Sequence, residues 1–510
     1  MAALVASVVI ALAACGQAPS ITIALDAASA DLLRGSNVQV EVTLTRLGGA
    51  SADVTLAVTG LPANVDASFS PAALTGGTLT STLTLSATAA AAEGDYDISV
   101  TGTGTGLSAT APLTLEVVSL TVTGRILSIL EFPVPNVAVG SQGDTDVTDS
   151  TGSFSITGLS VPYDLSVWST VDNWVHVYEG FTADELLLAP AVALSPPGVT
   201  MATTLTGTLS GGVIPVGTDQ QVTVCVEGLD GAVVGCDLVA PTESSYSIAA
   251  QWATSTTRQV RVHALQIEYD ADGLPVSYPG YATTTTTLTN AVAAVANLDL
   301  GTSLPTTTVD VDIDSTVAIT ATFGAVQLGT NMTMPVGAVT SPLTSHEVLM
   351  PVVNAAPYTF IGLASIQQFG WQADVTGPTA TVVVPDAPVL VSPANAATGV
   401  TNTTAFTAAN PTDGPVTFLW QTTGGPSLAV TTMETSHPMP DPAPYGMAIP
   451  AAANGSWQVV GSSGPTPEHG SGVIGDMYNA IYLFIFGSSP GLEGSGTFAI
   501  SNSNTFTTAP

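Results

Sequence analysis

At 510 residues the chain is long enough for about three to five domains, more than one hydrophobic core can serve. It carries 39 acidic and only 5 basic residues, all of them arginine, which gives a formal net charge of −34. So negative a chain repels polyanions, and this excludes nucleic acid and anionic lipid headgroups as partners. Charged residues make up only 9% of the chain, against about 25% in an average globular protein, so we expect Thr, Ser, Gly and Asn to supply the polar surface.

The chain begins with the apolar run Ala2–Leu12, which stops at Leu12-Ala13-Ala14-Cys15. An apolar run of that length followed by small residues is typical of a secretory signal and is too short to span a bilayer. The run resembles the lipobox of bacterial lipoproteins, although the basic residues that usually precede it are missing here. This resemblance implies cleavage before Cys15 and attachment of lipid to its thiol. Because Gly16 rather than Asp follows, it also implies anchoring in the outer membrane of a bacterial envelope. The alternative is an ordinary signal peptide with a chance cysteine.

Nearly every later stretch alternates with a period of two, and patterns with the helical period are almost absent, so we predict an all-β protein. In Asn37–Thr45, for example, apolar and polar residues alternate strictly. The segment Glu93-Gly94-Asp95-Tyr96 resembles the corner of an Ig-like sandwich at which a tyrosine opens the next strand. With the turn signal Gly60-Leu61-Pro62, it makes residues 16–117 similar to the Ig-like modules of secreted bacterial proteins, which implies a first β-sandwich.

Residues 118–195 carry the most specific resemblance in the chain. Thr148-Asp149-Ser150-Thr151-Gly152-Ser153-Phe154-Ser155-Ile156, followed by Tyr163-Asp164-Leu165-Ser166-Val167, is similar to the carboxypeptidase regulatory-like domain, a small transthyretin-like sandwich. In this segment Asp149 can bond its own backbone around a turn, Gly152 can take a positive φ, and Phe154 can start the next strand facing inward. The resemblance implies an accessory domain without catalytic residues.

The remaining chain divides into three further predicted modules. Three segments of residues 196–305 echo residues 118–195 in the same order, which predicts a second, weaker copy of that sandwich. The echoing segments are Leu205-Thr206-Gly207, Ser245-Tyr246-Ser247-Ile248 and Tyr278-Pro279-Gly280-Tyr281. Residues 306–386 are predicted as a β-module. In residues 387–510, Pro388-Val389-Leu390-Val391-Ser392-Pro393-Ala394-Asn395 resembles the opening strand of bacterial fibronectin type III-like domains, which implies a last β-domain. The sequence therefore predicts a string of four to five β-sandwich modules after an N-terminal signal segment, each with a core of its own.

Cys225 and Cys236 flank Asp230-Gly231, a dipeptide typical of the two-residue type I′ hairpin turn. In a hairpin with that turn, two residues lie opposite each other when their numbers sum to 461. Residues 225 and 236 meet this condition. Directly opposed Cβ atoms lie about 4.5–5.5 Å apart, so a disulfide is predicted, as suits an oxidising compartment. Counted from the turn, the pair is of the wider, hydrogen-bonded kind, which would need some strain or a bulge. The alternative is two reduced thiols packed on one face.

Two groups of carboxylates are candidate calcium ligands, because Ca²⁺ prefers hard oxygen ligands. They are the acidic loop with Asp144, Asp146 and Asp149, and the strand face with Asp310, Asp312 and Asp314. Neither group has the spacing of an EF-hand, and the alternative is that these acids form turns or are simply solvated. Apart from Ca²⁺ the sequence predicts no cofactor.

Little in the sequence points to catalysis. The five histidines are isolated, and His176 and His263, which lie in alternating strands, are expected to be ordinary face residues. Gly487-Ser488-Ser489-Pro490-Gly491 matches the G-x-S-x-G nucleophile elbow. However, the elbow needs a helix next, and the segment that follows is rich in glycine and strand-like. We therefore predict that the chain is not an enzyme.

These observations together favour a lipid-anchored cell-surface binding or scaffold protein, which presents β-sandwich modules to an extracellular glycan or a surface protein. The alternative is an anchored extracellular hydrolase, or the accessory region of one, with its site in the C-terminal domain. A buried Ser/His/Asp set or carboxylate pair near Glu468, His469, Asp476 or Glu493 would favour the hydrolase, whereas loops that carry only Thr and Ser would favour binding.

Overall fold

The computed structural model describes residues 18–128, 133–190, 200–214, 216–230, 233–240, 242–253, 255–271, 273–301, 303–329, 332–340, 344–410, 412–463 and 494–510. Strands joined by turns make up this part of the chain, and its one helical turn is the 3₁₀ segment Ala443–Tyr445. No helix in these residues is both long and apolar enough to cross a membrane. The all-β class with several sandwiched sheets, predicted from the period-two pattern, is confirmed. The chain divides into two compact units, Met1–Thr121 with Thr157–Pro162, and Val122–Ile156 with Tyr163–Pro510.

The first unit is a sandwich of two sheets around one apolar core. Its strands are β1 (Ser20–Leu25), β2 (Ser29–Leu33), β3 (Asn37–Leu47), β4 (Val54–Thr59), β5 (Val65–Ser70), β6 (Ala73–Leu74), β7 (Thr80–Ala87), β8 (Gly94–Gly104) and β9 (Leu107–Val118). One sheet has the order β1-β3-β7-β5 and the other β2-β9-β8-β4-β6. The alternating apolar residues Val40, Val42 and Leu44 of β3 are buried in the core between them. Near the start of β8 the Tyr96 hydroxyl donates to the Ala92 carbonyl at 3.1 Å, which holds the corner that the sequence predicts there.

The second unit contains the same sandwich topology three times in succession. The first copy has β10 (Leu120–Ile126), β11 (Ala138–Ser141), β12 (Asp144–Val147), β13 (Ser153–Leu159), β14 (Tyr163–Ser169), β15 (Trp174–Phe181) and β16 (Glu185–Leu188). The second has β17 (Thr200–Ser210), β18 (Gln220–Gly228), β19 (Val233–Val234), β20 (Cys236–Val239), β21 (Ser245–Ala253), β22 (Thr257–Tyr269), β23 (Pro275–Thr289), β24 (Ala294–Val295) and β25 (Leu298–Asp299). The third has β26 (Thr306–Ser315), β27 (Ala321–Gly329), β28 (Met332–Val339), β29 (Ser345–Pro351), β30 (Tyr358–Ser365), β31 (Gln368–Val375) and β32 (Thr379–Val384).

Strand order shows that the three copies are equivalent. The small sheets run β13-β10-β16, β21-β17-β24 and β29-β26-β32, and the larger runs are β12-β11-β14-β15, β20-β18-β22-β23 and β28-β27-β30-β31. In each copy the middle strand of the small sheet pairs in parallel with a strand near the end of the copy. The second copy differs by adding β19 to the edge of its small sheet and by splitting its last strand into β24 and β25.

The sequence echoes that relate the first two copies do not extend to the third. A Pro-Tyr pair relates it to the first copy: Pro162-Tyr163 stands at the start of β14 and Pro357-Tyr358 at the start of β30. Both tyrosine rings are buried, and each hydroxyl donates to a backbone carbonyl, that of Ala183 and that of Pro351. The two residues therefore serve the same purpose in both copies.

Residues 387–510 form the last sandwich of the second unit. Its strands are β33 (Val389–Ser392), β34 (Ala397–Val400), β35 (Ala405–Ala409), β36 (Val416–Thr422), β37 (Ser427–Thr432), β38 (Ser436–Pro438), β39 (Asn454–Ser463), β40 (Ser495–Ile500) and β41 (Asn504–Thr508). One sheet is β33-β35-β38, and β36, β37, β39, β40, β41 and β34 belong to the other. The aromatic residues Phe418, Trp420 and Trp457 are buried in its core, and Phe406 packs edge-on against both tryptophans.

Strand pairing continues across the module boundaries that the sequence predicts in the second unit. β15 pairs in parallel with β37 and β31 pairs antiparallel with β40, so the first copy, the third copy and the last sandwich contribute to one sheet of fourteen strands. The second and third copies share a core, which contains Leu265 and Tyr278 of one and Val311 and Phe360 of the other. The expectation that each module has a core of its own is therefore wrong for these two copies, because the larger sheet of the second copy has both faces covered.

Candidate functional site

Several of the predicted site residues lie outside the described residues. They are Cys15, the segment Gly487–Gly491 and the hydrolase candidates Glu468, His469, Asp476 and Glu493. Lipidation and the hydrolase alternative therefore stay predictions, and the candidate site is built from the rest of the chain.

Cys225 and Cys236 lie directly opposite each other in β18 and β20. They are joined as a disulfide, their Cα atoms are 4.2 Å apart, and their neighbours pair in the register that sums to 461. This Cα distance is that of the narrow, non-hydrogen-bonded pair, not of the wider pair that a two-residue turn predicts. The reason is that Val233–Val234 leave this ladder and pair with β21 in the other sheet. The chain passes from one sheet to the other at Gly235, whose φ is 155°. Only glycine fits at this point, because a Cβ atom would collide with the side chain of Ile248.

The acidic loop is held in turn geometry. The Asp149 carboxylate accepts hydrogen bonds from the Thr151 hydroxyl and from two backbone N–H groups of the same turn, and these keep its pKa below the ordinary 3.8. Asp146 accepts from the backbone N of Ser155 at 2.7 Å, and Asp144 lies at the far end of the β11–β12 hairpin. In the part of the chain that the structure describes, no three acidic, histidine or cysteine side chains are grouped so as to hold a metal ion. The structure thus does not bring the three aspartates together.

The other acidic group is an exposed strand face. Asp310, Asp312 and Asp314 point to solvent from β26, and β29 places Glu347 directly opposite Asp310. Like charges opposite each other weaken a strand pair slightly. The four carboxylates share a solvated face. This arrangement corresponds to the alternative given in the sequence analysis, that these acids are solvated, and not to a calcium site.

The pairing of β15 with β37 buries a chain of neutral polar groups. His176 is fully buried, and its Nε2 lies 2.8 Å from the Thr431 hydroxyl, which lies 2.8 Å from the Thr417 hydroxyl. Burial lowers the pKa of His176 to about 3, so the ring stays neutral at physiological pH. His176 therefore links the first copy to the last sandwich through a neutral hydrogen bond.

An ion pair joins the same two sandwiches. Nε2 of His437 in β38 lies 2.9 Å from Oε1 of Glu179 in β15. Burial alone would lower the pKa of His437, but the hydrogen bond and the negative charge of Glu179 raise it above the ordinary 6.5. The same hydrogen bond holds the pKa of Glu179 below its ordinary 4.5. Tyr445, which lies between β38 and β39, adds a further contact, since its hydroxyl lies 2.7 Å from that of Ser166. We call this contact region the β15–β37 seam.

A second group of buried ionisable side chains lies between the second and third copies. Oε2 of Glu227 accepts from Arg261 at 3.1 Å and lies 3.0 Å from Nε2 of His263. The other ring nitrogen of His263 lies 2.9 Å from the Tyr281 hydroxyl. Glu227 and His263 are almost completely buried, and Gly329 of the third copy packs so closely on the carboxylate that no Cβ atom would fit. Burial raises the pKa of Tyr281, and Arg261 neutralises the carboxylate, so the geometry is that of a structural network and not of an acid–base pair open to substrate.

One cleft of about 490 Å³ opens where the third copy meets the last sandwich. Its polar lining consists of Ser365, Gln367, Gln368, Asn502 and Asn504, and Pro388 and Val389 are among its apolar residues. None of the described residues that line it is ionisable, although the chain as a whole carries a charge of −34. Amide groups offer both donors and acceptors, so this amide cleft suits a neutral ligand that has hydroxyl or amide groups and one apolar side.

No sequence signal marks the amide cleft, because its lining comes from residues 365–368, 387–390 and 500–504, which are far apart in the chain. A second cleft of about 570 Å³, at the edge of the second copy, includes Asp219 and Asp270. The two clefts therefore differ in charge: among the described residues, carboxylates line the second cleft and only neutral side chains line the amide cleft.

No family model matches the chain, and no curated protein matches it. Among solved structures it is similar to domains 4 and 5 of the S-layer protein SbsC, at 22% identity over 19% of this chain and 53% of that one, with a TM-score of 0.16. It is also similar to domains 4–9 of the surface layer protein SbsC, at 13% identity over 87% and 63% of the two chains, with a TM-score of 0.16. The I-band fragment I67–I69 of titin matches at 10% identity over 72% and 97%, with a TM-score of 0.15. The chain thus spans about half the length of the first of these structures. Identities and TM-scores of this size carry no functional argument, and the fold rests on the strand orders described above.

Proposed function

We propose that the chain is a surface scaffold protein of a bacterial cell envelope, anchored through lipid on Cys15, which holds a ligand-binding cleft on a rigid β framework. The observation that supports the scaffold role most directly is the sheet of fourteen strands, which joins three sandwiches through paired backbones. Modules connected only by linkers are expected to move relative to one another. Backbone pairing and the buried bond between His176 and Thr431 oppose such motion.

The amide cleft supplies the ligand class of the proposal. Amide side chains can bond sugar hydroxyls as donors and as acceptors, and Pro388 and Val389 can cover the apolar side of a ring. The net charge of −34 disfavours anionic glycans, so the expected ligand is a neutral saccharide. An uncharged segment of a surface protein is the alternative partner for the same lining.

A glycan array tests the ligand. We expect the full chain with Cys15→Ser, which lacks the acyl acceptor, to bind neutral glycans and not sulfated or sialylated ones. The double variant Gln367→Ala/Asn504→Ala should lose that signal, because it removes two amides from the lining. The matched control Gln39→Ala removes an exposed amide in the first unit and should bind as before. An array without neutral hits, or hits that survive the double variant, would contradict the saccharide part of the proposal.

Membrane fractionation tests the anchor. The chain with Cys15 intact should pellet with membranes and carry an acyl mass on its N-terminal peptide, and Cys15→Ser should release it to the supernatant. A Cys15→Ser chain that still pellets, together with a wild type without acyl mass, would show that the cysteine is not the anchor.

A further inference from the structure

β23 forms one edge of the sheet β20-β18-β22-β23, and its backbone hydrogen bonds fix which of its residues direct their N–H and C=O groups outward. Tyr281 N donates away from β22, to the Leu300 carbonyl at 2.9 Å, and Asn290 N donates towards β22, to the Thr256 carbonyl at 2.9 Å. In an antiparallel pair, alternate residues direct both N–H and C=O away from the neighbouring strand. Since Tyr281 is one of these residues, Thr283, Thr285 and Thr287 direct their backbone groups outward as well.

This part of the edge is uncovered. The segment that follows β25 bonds to β23 only through Leu300 and Leu304, which reach Tyr281 and Tyr278. Among the described residues, no backbone hydrogen bond reaches the outward groups of Thr283, Thr285 or Thr287, and the three side chains are exposed. In the described part of the chain, three successive outward N–H and C=O pairs are therefore left without a backbone partner.

The segment Thr283–Thr287 also lacks the usual protection of an edge. Proteins guard exposed edges with proline, charged side chains or a β-bulge. Here five consecutive threonines carry no charge, and the register shifts of the β22–β23 pair lie at its other end, between Gln266 and Tyr269. Threonine is β-branched and favours the extended conformation. The edge is thus ready to accept another strand.

We propose that this edge pairs with the same edge of a second copy of the chain, antiparallel and centred on Thr285. In that register Thr285 meets its own equivalent and Thr283 meets Thr287, so all outward groups are used, and the pair is closed by a twofold axis. Threonine pairs opposite each other are favourable.

The local charge supports a second copy as the occupant. Arg258 and Arg261, two of the five cations of the chain, lie on β22 directly behind this edge. They pair with Asp230 and Glu227, at 3.3 and 3.1 Å. The segment Thr283–Thr287 itself carries no charge, so two copies of a chain with a charge of −34 can pair along it without like charges opposite each other in the ladder.

Light scattering coupled to size exclusion tests the proposal on the full chain with Cys15→Ser. We expect a concentration-dependent species of twice the mass of the chain. Thr285→Pro should reduce it to the single mass, because proline removes an outward N–H that the β22–β23 ladder does not use. Thr285→Val keeps both the N–H and the branched shape and should still form the doubled species. A wild type of single mass at every concentration, or a doubled mass that survives Thr285→Pro, would overturn the proposal.

A charge-rescue experiment checks the register independently of strand damage by proline. Thr285→Lys and Thr285→Asp should each give the single mass, because equal charges would meet at the centre of the pair. An equimolar mixture of the two should restore the doubled mass, since opposite charges then meet. A mixture that stays at the single mass would refute pairing centred on Thr285.

Discussion

His437 and Glu179 show how a single residue pair in the β15–β37 seam couples stability to pH. The folded-state pKa of His437 lies above 6.5, so its stabilising effect is complete below pH 6.5 and is lost as the pH rises through the raised pKa. The pKa of Glu179 lies below 4.5, so its effect is complete above pH 4.5 and is lost as the pH falls through the lowered pKa. The ion pair therefore stabilises the seam most between about pH 4.5 and 6.5.

We expect His437→Gln to lower the thermal unfolding midpoint of the second unit most in that window, with the difference from wild type shrinking towards pH 8. Tryptophan fluorescence in a pH series measures it. His346→Gln is the matched control, because burial lowers the pKa of His346 and its ionisation therefore weakens the fold as the pH falls. The two variants should thus follow opposite pH trends, and parallel trends would contradict the assignment of the ion pair.

The disulfide supports a second prediction at the residue scale. Cys225 and Cys236 close a short loop, and a cross-link of this size is expected to contribute roughly 2–3 kcal/mol to the free energy of unfolding. The double variant Cys225→Ser/Cys236→Ser should lose that amount in a denaturant titration. Reductant should bring the wild type down to the level of the double variant and leave the variant unchanged. Free alkylation of both thiols in the non-reduced chain would show that the bond does not form.

The disulfide and the buried Glu227–His263 network show how far the environment of single residues can be predicted from sequence. The pairing of residue 225 with 236 follows from counting outward from Asp230-Gly231, and the structure has that register. Counting could not predict whether this pair is of the narrow or the wide kind, because that depends on Val233–Val234 pairing with a strand of another sheet. The burial of Glu227 and His263 was likewise out of reach, because the residues that cover them belong to the next module.

At the scale of elements, β18 has an environment that its sequence pattern does not predict. Residues 222–228 are all buried. Val222, Val224 and Val226 face the small sheet of the second copy, and Cys225 faces the third copy. Near-continuous apolar strands are typical of sheets that are covered on both faces. A carboxylate on such a strand needs a partner, and for Glu227 this partner is Arg261.

We expect Arg261→Met to destabilise the second unit by about 3 kcal/mol, because it leaves the buried Glu227 carboxylate without its cation. Chemical denaturation followed by tryptophan fluorescence measures the loss. Arg125→Met is the matched control, since Arg125 is exposed and bonds only the Thr151 carbonyl among the described residues, and it should change stability by less than about 0.5 kcal/mol. Equal effects of the two substitutions would show that Glu227 is not dependent on Arg261.

Alternation predicts strands well where one face meets solvent, as in β3, whose inward residues Val40, Val42 and Leu44 are those of the sequence pattern. It does not predict which strands pair across modules. β15 and β37 are separated by about half of the chain, and nothing in either segment specifies a parallel partner. The amide cleft depends on such pairing, and this is why the sequence did not reveal it.

At the scale of the whole molecule, the two units differ in how their cores are organised. The first unit has one core cluster of its own, which includes Val42 and Leu83. In the second unit a shared cluster joins the second and third copies, and the fourteen-stranded sheet joins the third copy to the last sandwich. We therefore expect two main unfolding transitions, in place of one for each module.

Two core variants distinguish these outcomes. Leu83→Ala should destabilise the first unit by about 3 kcal/mol, and Phe360→Ala should destabilise the second unit by a similar amount, since both side chains are fully buried.

All six tryptophans lie between residues 168 and 457, within the second unit, so their fluorescence reports that unit alone, whereas calorimetry reports both. Leu83→Ala should lower one calorimetric transition and leave the fluorescence midpoint in place. Phe360→Ala should lower the fluorescence midpoint and the other calorimetric transition together. If Phe360→Ala instead split the fluorescence curve into separate steps, the second and third copies and the last sandwich would be independent folding units despite their shared sheet and core.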